Sequence, residues 1–160
     1  MYKKIIIGAV ALVILGVAYY GVSPLFINVR IDEVAPQPKE ASSMSAETNL
    51  QITTEGSAIV GTARHPASGS VRVINTENGA VLRYENFKTV NGPDLYVYLA
   101  KDLDAKEFIN LGLLKATEGN INYDVPPGTN INDYRYAMVW CKAFGVLFNY
   151  ADISENFKQQ

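Results

Sequence analysis

Hydrophobic and polar positions divide the chain into stretches with different periods. From Ile5 to Ile27 no charged residue interrupts an apolar run, whereas residues 28–57 show no apolar periodicity. From Ala58 onward, short apolar or alternating runs recur between turn signals, which is typical of a β-sandwich or barrel. The pattern therefore predicts one apolar helix, one linker, one all-β domain at residues 58–153 and a tail at residues 154–160.

Alternating runs in the domain predict about eight strands in an antiparallel sandwich or barrel. The predicted strands are Ala58–Ala63, Ser70–Asn75, Ala80–Phe87, Leu95–Ala100, Gly112–Lys115, Ile121–Val125, Arg135–Cys141 and Val146–Tyr150. The pair Asn78-Gly79 predicts a type I′ hairpin turn, because both residue types tolerate positive φ. The stretch Asp102–Asn110 is the helical candidate, with one or two turns. An α/β fold is disfavoured, since the sequence contains no long amphipathic helix.

Two of these strands carry apolar side chains on both faces. Alternation places Leu95, Val97 and Leu99 on one side of their strand and Tyr96 and Tyr98 on the other. The strand Arg135–Cys141 shows the same pattern. We expect both strands to lie centrally and to be covered on both faces.

The segment Ile5–Ile27 is predicted to be a transmembrane helix, because about 20 apolar residues cross a hydrocarbon core of roughly 30 Å. Lys3 and Lys4 precede it and an acidic stretch follows, so the positive-inside rule places residues 1–4 in the cytoplasm and the domain outside the cell membrane. A cleaved signal peptide is the alternative, because Gly16-Val17-Ala18 offers small residues at the spacing that signal peptidase prefers. Either interpretation gives an extracytoplasmic domain.

The segment 28–57 is predicted to be a linker, because the stretch from Val34 to about Gly56 is rich in Pro, Ser, Ala, Thr and Glu. Taken as flexible, the twenty-odd residues of that stretch have a root-mean-square span on the order of 25 Å, which would hold the domain clear of lipid headgroups.

Composition excludes several classes of function. The net charge is -2 and no basic run is dense enough to follow a phosphate backbone, so nucleic acid is not an expected partner. One cysteine and one histidine provide neither a disulfide framework nor a zinc site. Serine-nucleophile and phosphate-loop motifs are missing, so we expect no enzyme, no catalytic residue and no bound metal, and no cofactor is identified.

Four residues are candidates for chemistry or binding. Cys141 is the redox candidate, because a thiolate is oxidised readily and binds metals; as the alternative, a lone cysteine on a strand is a small packing residue. His65 lies in a turn where it would contact a haem or metal, or be merely exposed. Two further candidates for contact with a cofactor or another ligand are Asp94, in the turn Asn91-Gly92-Pro93-Asp94, and Trp140. Calcium is disfavoured at the Asn- and Asp-rich loops, because their spacing matches no EF-hand.

Several motifs together resemble the DM-thirteen domain, over residues of about 61–153. They are His65-Pro66-Ala67-Ser68-Gly69, Leu82–Phe87, Asn91–Leu99, Leu111–Lys115, Gly119–Tyr123 and Trp140-Cys141-Lys142-Ala143-Phe144. The resemblance implies a proposed electron-transfer role with Cys141 as its redox residue. Ser23–Asn28 is similar to the juxtamembrane segment of membrane-anchored microbial members. No DOMON domain, cytochrome segment or haem-ligand pair accompanies the motifs, so a cofactor would have to come from a partner.

Two hypotheses follow from the sequence. The first is a membrane-tethered redox module with an unidentified redox partner, in which Cys141 cycles as a thiol or helps to hold a partner's cofactor. The second is a non-enzymatic binding or structural module of the cell envelope, in which Cys141 is packed and the loops form a recognition surface. The exposure of Cys141 discriminates between them.

Overall fold

The computed structural model describes residues 2–22, 28–39 and 56–154. Helix α1 spans Tyr2–Val22. The strands within the described ranges are β1 (Arg30–Asp32), β2 (Ser57–Ala58), β3 (Val60–Gly61), β4 (Ala67–Thr76), β5 (Gly79–Thr89), β6 (Leu95–Ala100), β7 (Phe108–Leu113), β8 (Glu118–Asp124), β9 (Tyr136–Cys141) and β10 (Val146–Asp152). A short 3-10 helix, Ile131–Asp133, precedes β9.

The described strands form two five-stranded sheets that pack face to face. Sheet A has the order β1-β8-β5-β4-β2, and sheet B has the order β3-β10-β9-β6-β7. Neighbouring strands are antiparallel except β1 and β8, which run parallel. The predicted all-β sandwich is therefore confirmed. The alternative of a barrel is wrong, because each sheet ends in two unjoined edge strands.

Apolar side chains from both sheets fill the space between them. The most buried are Val71, Leu82, Tyr84 and Ile121 of sheet A and Val97, Leu99 and Val139 of sheet B. The hydroxyl of Tyr84 has no hydrogen-bond partner among the described residues. Burial, and to a lesser extent Tyr123, raises the pKa of Tyr84 above the ordinary tyrosine value. The core is thus neutral, and removal of apolar surface from water is its main stabilising contribution.

The sandwich has two distinct ends. The upper end carries the β9–β10 hairpin tip (Lys142–Gly145), the end of β5 and the start of β1, where Arg30 pairs with Glu118. The lower end carries the β4–β5 hairpin tip. This hairpin is confirmed, but its turn residues are Glu77 and Asn78, and only Gly79 has positive φ, at +135°. The predicted type I′ geometry is therefore wrong.

The stretch Asp102–Asn110 is not helical. It forms turns as far as residue 107 and then begins β7 at Phe108. The Asp102 carboxylate accepts the backbone N–H groups of Asp104 (2.9 Å) and Lys106 (3.2 Å), and Ala105 has φ +52°. These local hydrogen bonds compete with helical ones, which is why an acidic stretch of this kind folds as turns.

Residues 28–39, which the sequence pattern assigns to the linker, pack against the domain. Strand β1 pairs with β8, and the Val29 carbonyl accepts the N–H groups of Thr117 (2.9 Å) and Glu118 (3.1 Å). Gly119, at φ +113°, allows this contact, because a Cβ there would overlap the Ile31 carbonyl oxygen. A three-residue strand of sequence Arg-Ile-Asp carries no apolar alternation, so its pairing has no sequence signal.

The chain that follows β1 covers the outer face of sheet A. There Arg83 is buried and donates to Glu85 Oε1 (2.8 Å), Asn122 Oδ1 (2.8 Å) and the Glu33 carbonyl (3.1 Å). Asn122 in turn donates to the Val34 carbonyl at 2.9 Å. This face of sheet A is therefore closed by a polar network.

The predicted transmembrane segment coincides in part with α1. The large apolar side chains described in the helix are exposed, among them Leu12 (72%) and Val17 (67%). Residues 23–27 of the predicted segment lie outside the described residues, as does the tail from residue 155. Searched over the described residues, the chain contains no helix with the length and apolarity needed to cross a membrane.

Candidate functional site

Cys141 is the last residue of β9 and lies in the core at the upper end. Its side chain is 0% exposed and shares the inner face of sheet B with Ala137 and Val139. Its Sγ donates a hydrogen bond of 3.1 Å to the carbonyl oxygen of Pro93. The thiol is therefore packed beneath the turn of residues 91–94, and a solvent molecule reaches it only if that turn or the neighbouring hairpin tip moves.

The turn above the thiol is shaped by close packing at Gly92. A Cβ on Gly92 would lie 2.6 Å from Cζ of Phe148, so the ring lies directly against the glycine. In this turn positive φ belongs to Asp94, at +56°, and not to Gly92. Glycine is needed here for space rather than for backbone freedom.

His65 lies on the other side of the same phenylalanine. Its ring stacks on Phe148 with a centroid distance of 3.8 Å and an angle of 15°, and its Nδ1 lies 2.9 Å from Oγ1 of Thr62. His65, Phe148 and the Gly92–Pro93 turn therefore form a continuous layer at the upper end. Within this end His65 contacts Phe148 and Thr62, whereas the Cys141 thiol contacts Pro93.

Arg135, the basic residue directly before β9, lies at the lower end. Its guanidinium forms an ion pair with Asp152 at 2.8 Å. Cys141 lies six positions farther along the extended strand, a distance of roughly 20 Å. Arg135 is therefore too far away to stabilise a thiolate at Cys141.

The two remaining candidates lie at different places. Asp94 is exposed at the upper end, and its carbonyl accepts the N–H of Lys142 at 3.0 Å. Trp140 precedes Cys141 on the same strand and therefore points to the opposite, outer face of sheet B. The structure thus brings Cys141, His65 and Asp94 to one end of the sandwich and separates Trp140 from the thiol.

The outer face of sheet B is lined by aromatic side chains. We define the outer aromatic face as Tyr96, Tyr98, Tyr136, Trp140, Leu147 and Tyr150, which surround the buried Met138. Strand register explains the grouping, because Tyr96 pairs with Trp140 and Tyr98 with Met138. The tyrosines are ordinary strand formers in the sequence, and only the alternation on two paired strands signals that they share a face.

This face is only partly covered. Leu103 and Ala105 pack on it, and Tyr98 stacks on Phe108 with a centroid distance of 4.1 Å. Apart from Tyr98, all members of the outer aromatic face are partly exposed. The expectation that both faces of the central strands are covered therefore holds for the inner face, whereas the outer face is covered only around Tyr98, Ala100 and Met138.

Charged side chains border the outer aromatic face at both ends. The Lys142 ammonium lies 5.3 Å from the centroid of the Tyr96 ring, and the Arg135 guanidinium lies 5.1 Å from the centroid of the Tyr136 ring. Burial, followed by the nearby Tyr96 and Asp94, raises the pKa of Tyr98. The face is therefore a neutral aromatic surface between two cations, suited to stacking and to cation–π contacts.

Metal binding has no support in the described part of the chain. Residues 2–22, 28–39 and 56–154 contain no group of three or more His, Cys, Asp or Glu side chains placed to hold a metal ion. An open groove of about 680 Å³ lies at the lower end between Pro36–Pro38 and the β4–β5 tip. It contains none of the four candidate residues.

Residues 60–153, more than half of the 160 residues, match the family model described as Electron transfer DM13. The chain belongs to the DM13 family. No curated protein and no solved structure matches it. The resemblance drawn from the sequence motifs is thereby confirmed at the level of the family.

The DM13 match begins at β3 and ends directly after β10. It therefore contains Cys141, His65, Asp94 and the whole outer aromatic face, but neither β1 nor β2. In this chain the DM13 region is extended by a strand from the segment that follows α1, and that strand completes one edge of sheet A.

Proposed function

We propose that this DM13 chain is a membrane-attached, extracytoplasmic module that takes part in electron transfer without catalysing a reaction. It docks a redox protein on the outer aromatic face, and Cys141 is a packing residue. The observation that carries the proposal is the contrast between a thiol with 0% exposure and a partly exposed aromatic surface on the other side of the same strand.

The position of Cys141 supports a packing role. Thiol chemistry with an oxidant or a disulfide requires access to the sulfur and some thiolate character. Here the sulfur is buried in an apolar core, and the thiol donates a hydrogen bond to the Pro93 carbonyl oxygen. Neither hydrogen bonds nor ion pairs of the described residues link it to a cation. A free, buried cysteine of this kind behaves as a small hydrophobic residue.

The outer aromatic face supports the docking role. Tyrosine and tryptophan are enriched in protein interfaces, because they combine a large apolar area with a polar group that finds partners across the contact. Tyr136 and Trp140 of β9 and Tyr150 of the neighbouring strand β10 present such surface. A rigid sheet holds these rings in place, so little side-chain entropy is lost on binding.

Membrane attachment is supported by sequence. Residues 5–27 contain no charge. The exposed side chains described in α1 are apolar on all sides of the helix, whereas a helix in water normally has one polar face. Lys3 and Lys4 before this segment favour a cytoplasmic start and an extracytoplasmic domain. The attachment is tested by flotation with vesicles, and the orientation by labelling a cysteine placed at Ser43 in a Cys141→Ala background with an impermeant reagent on intact cells.

The two roles are separated by measuring electron transfer to ferricyanide, an impermeant one-electron acceptor, in intact cells that express the chain. We expect expression to raise the rate, Cys141→Ala to retain that increase, and Trp140→Ala to lose most of it. Circular dichroism and thermal unfolding of each variant provide the control for folding. Loss of the increase in folded Cys141→Ala, with retention in Trp140→Ala, would overturn the proposal.

The second candidate is a redox-active Cys141, which the position of the thiol directly under a surface turn favours. In that case the turn of residues 91–94 opens and the thiolate forms in the open state. Alkylation of the folded chain over a pH series distinguishes the two candidates. Protection until unfolding supports packing, whereas reaction at neutral pH faster than that of a free cysteine supports redox chemistry.

A further inference from the structure

The upper end of the sandwich exposes large apolar side chains. Phe144, at the tip between β9 and β10, is 71% exposed, and Leu113, at the end of β7, is 59% exposed. Val29, just before β1, is 45% exposed. A phenylalanine at the tip of a hairpin contributes nothing to the core, so its exposure points to contact with something outside the domain.

Charge is distributed unevenly between the two ends. Basic side chains at the upper end are Arg30, Arg64, Lys88 and Lys142, against the acidic Asp32, Asp94 and Glu118. At the lower end the acidic side chains outnumber the basic ones: Glu77, Asp102, Asp104, Glu107, Asp124, Asp133 and Asp152 against Lys101, Lys106 and Arg135. Arg30 and Lys88 form ion pairs with Asp32 and Glu118. Lys142 and Arg64 form none with a described carboxylate. The upper end therefore suits an anionic surface and the lower end does not.

The upper end is also where the chain arrives from α1. The helix ends at Val22 and β1 begins at Arg30. Eight residues span at most about 29 Å when fully extended, so the start of β1 cannot lie farther than that from the end of the helix. Because β1 is part of sheet A, this limit applies to the folded domain and not merely to a flexible linker.

We infer that the upper end lies on the surface of an anionic lipid bilayer, with Phe144 inserted among the headgroups and Lys142 beside their phosphates. This inference rests on the membrane attachment in the proposed function. Aromatic side chains next to lysine favour the interfacial zone of a bilayer, and cations close to an anionic leaflet are attracted to it. The expectation that a linker holds the domain clear of the headgroups is replaced by direct contact.

The experiment uses the full chain in vesicles of phosphatidylcholine with a minority of phosphatidylglycerol. In a Cys141→Ala background, a nitroxide is attached at Ala143→Cys in the upper tip and, as a matched control, at Asn78→Cys in the lower tip. Power saturation compares collisions with oxygen, which concentrates in lipid, and with a water-soluble nickel complex. We expect a several-fold higher oxygen-to-nickel ratio at position 143 than at 78, and the addition of Phe144→Asp should remove the difference.

Each failure has its own signature. If the chain does not float with the vesicles, the proposed attachment fails. If it floats but positions 143 and 78 are equally accessible to nickel, the attachment stands and the inference about the upper end is overturned. Protection of position 143 from both reagents, with spin–spin broadening between labels, would show that a second copy of the chain covers the tip, and would also overturn it.

Discussion

The two sheets bury similar inner faces but differ in what their outer faces carry. On sheet A, Arg83 is buried under residues that follow β1 and has three hydrogen-bond acceptors. On sheet B, Trp140 and Tyr150 are partly exposed, and among the described segments the turns near Leu103 pack on this face. One outer face is closed by a segment from outside the DM13 match, and the other is left open within it.

This difference associates the outer face of sheet A with stability and that of sheet B with binding. A buried guanidinium is tolerated only when its hydrogen bonds are satisfied, so the outer face of sheet A is committed to holding β1 and its continuation. Partly exposed aromatic rings on a sheet do not require a covering segment for the domain to be stable, and they remain available to bind another protein. We therefore expect variants of sheet A to affect unfolding, and variants of the outer aromatic face to affect docking.

The largest effect is expected at Arg83. Arg83→Met keeps the apolar volume of the side chain but leaves Glu85 and Asn122 without their shared donor, so it should lower the free energy of unfolding by about 2–4 kcal/mol. Chemical denaturation provides the measurement, with Lys106→Met in an exposed ion pair as the control. If both variants unfold at the same denaturant concentration, the outer face of sheet A has no structural role and the comparison fails.

A smaller loss is expected at Gly119, where the comparison is sharpened by a matched glycine. Gly119→Ala and Gly112→Ala place a side chain at nearly the same φ (+113° and +115°), but only Gly119 faces the Ile31 carbonyl, since nothing lies within 4 Å of a Cβ at Gly112. We expect Gly119→Ala to lower the free energy of unfolding by about 1–3 kcal/mol more than Gly112→Ala does, because the new side chain displaces β1. Hydrogen exchange at the Glu118 amide should accelerate in that variant alone. Equal effects would show that backbone strain, and not the contact with β1, is responsible.

On sheet B the expected cost in stability is lower still. Tyr150→Ser removes a partly exposed ring that contacts Tyr136, and should lower the free energy of unfolding by about 1 kcal/mol. The ferricyanide rate should nevertheless fall as it does in Trp140→Ala. A loss of stability as large as that of Arg83→Met would mean that the outer aromatic face is a second core rather than a docking surface.

The smallest effect concerns Asp152 at the lower end of sheet B. Burial raises its pKa, but hydrogen bonds from Ser154 and Arg135 outweigh burial and hold the pKa below the ordinary aspartate value. A folded-state pKa below the unfolded one stabilises the protein fully above the unfolded pKa, and that contribution is lost as pH falls through the folded value. Asp152→Asn should therefore lower stability slightly near neutral pH and less in acid.

Acid titration followed by circular dichroism tests this dependence. Arg135→Gln and the double variant complete a thermodynamic cycle, in which the effect of Asp152→Asn should shrink once Arg135 is gone. A stability difference between the wild type and Asp152→Asn that stays constant from neutral to strongly acidic pH would contradict the assignment.

The sequence predicted strands correctly where apolar and polar residues alternate with a period of two. The strands β5, β6 and β9 follow from alternation, and β6 has the predicted bounds Leu95–Ala100. The first predicted strand, Ala58–Ala63, became two short strands in different sheets, because the chain crosses between the sheets at Ile59. Such a crossing leaves the apolar pattern unchanged, so it cannot be recognised from periodicity.

The candidate site was predictable in its residues but not in its geometry. The motifs identified Cys141, but its burial involves a contact with Pro93, 48 residues earlier in the chain, and Phe148 packs against the same turn at Gly92. Strand β1 could not be predicted, because its pairing is made by backbone groups and by a glycine 88 residues away. Long-range contacts of this kind leave no local pattern in a single sequence.

The parallel pairing of β1 with β8 also has a consequence for the order of folding. Their hydrogen-bonded residues are 88 apart in sequence, as for Asp32 and Asn120. At about 5–20 residues per second, synthesis of β8 follows that of β1 by roughly 4–18 s. The hairpin of β4 and β5 is synthesised within that interval, and β1 cannot join sheet A until β8 has been made. A nascent chain therefore carries Arg30–Asp32 for several seconds as a strand whose own partner does not yet exist.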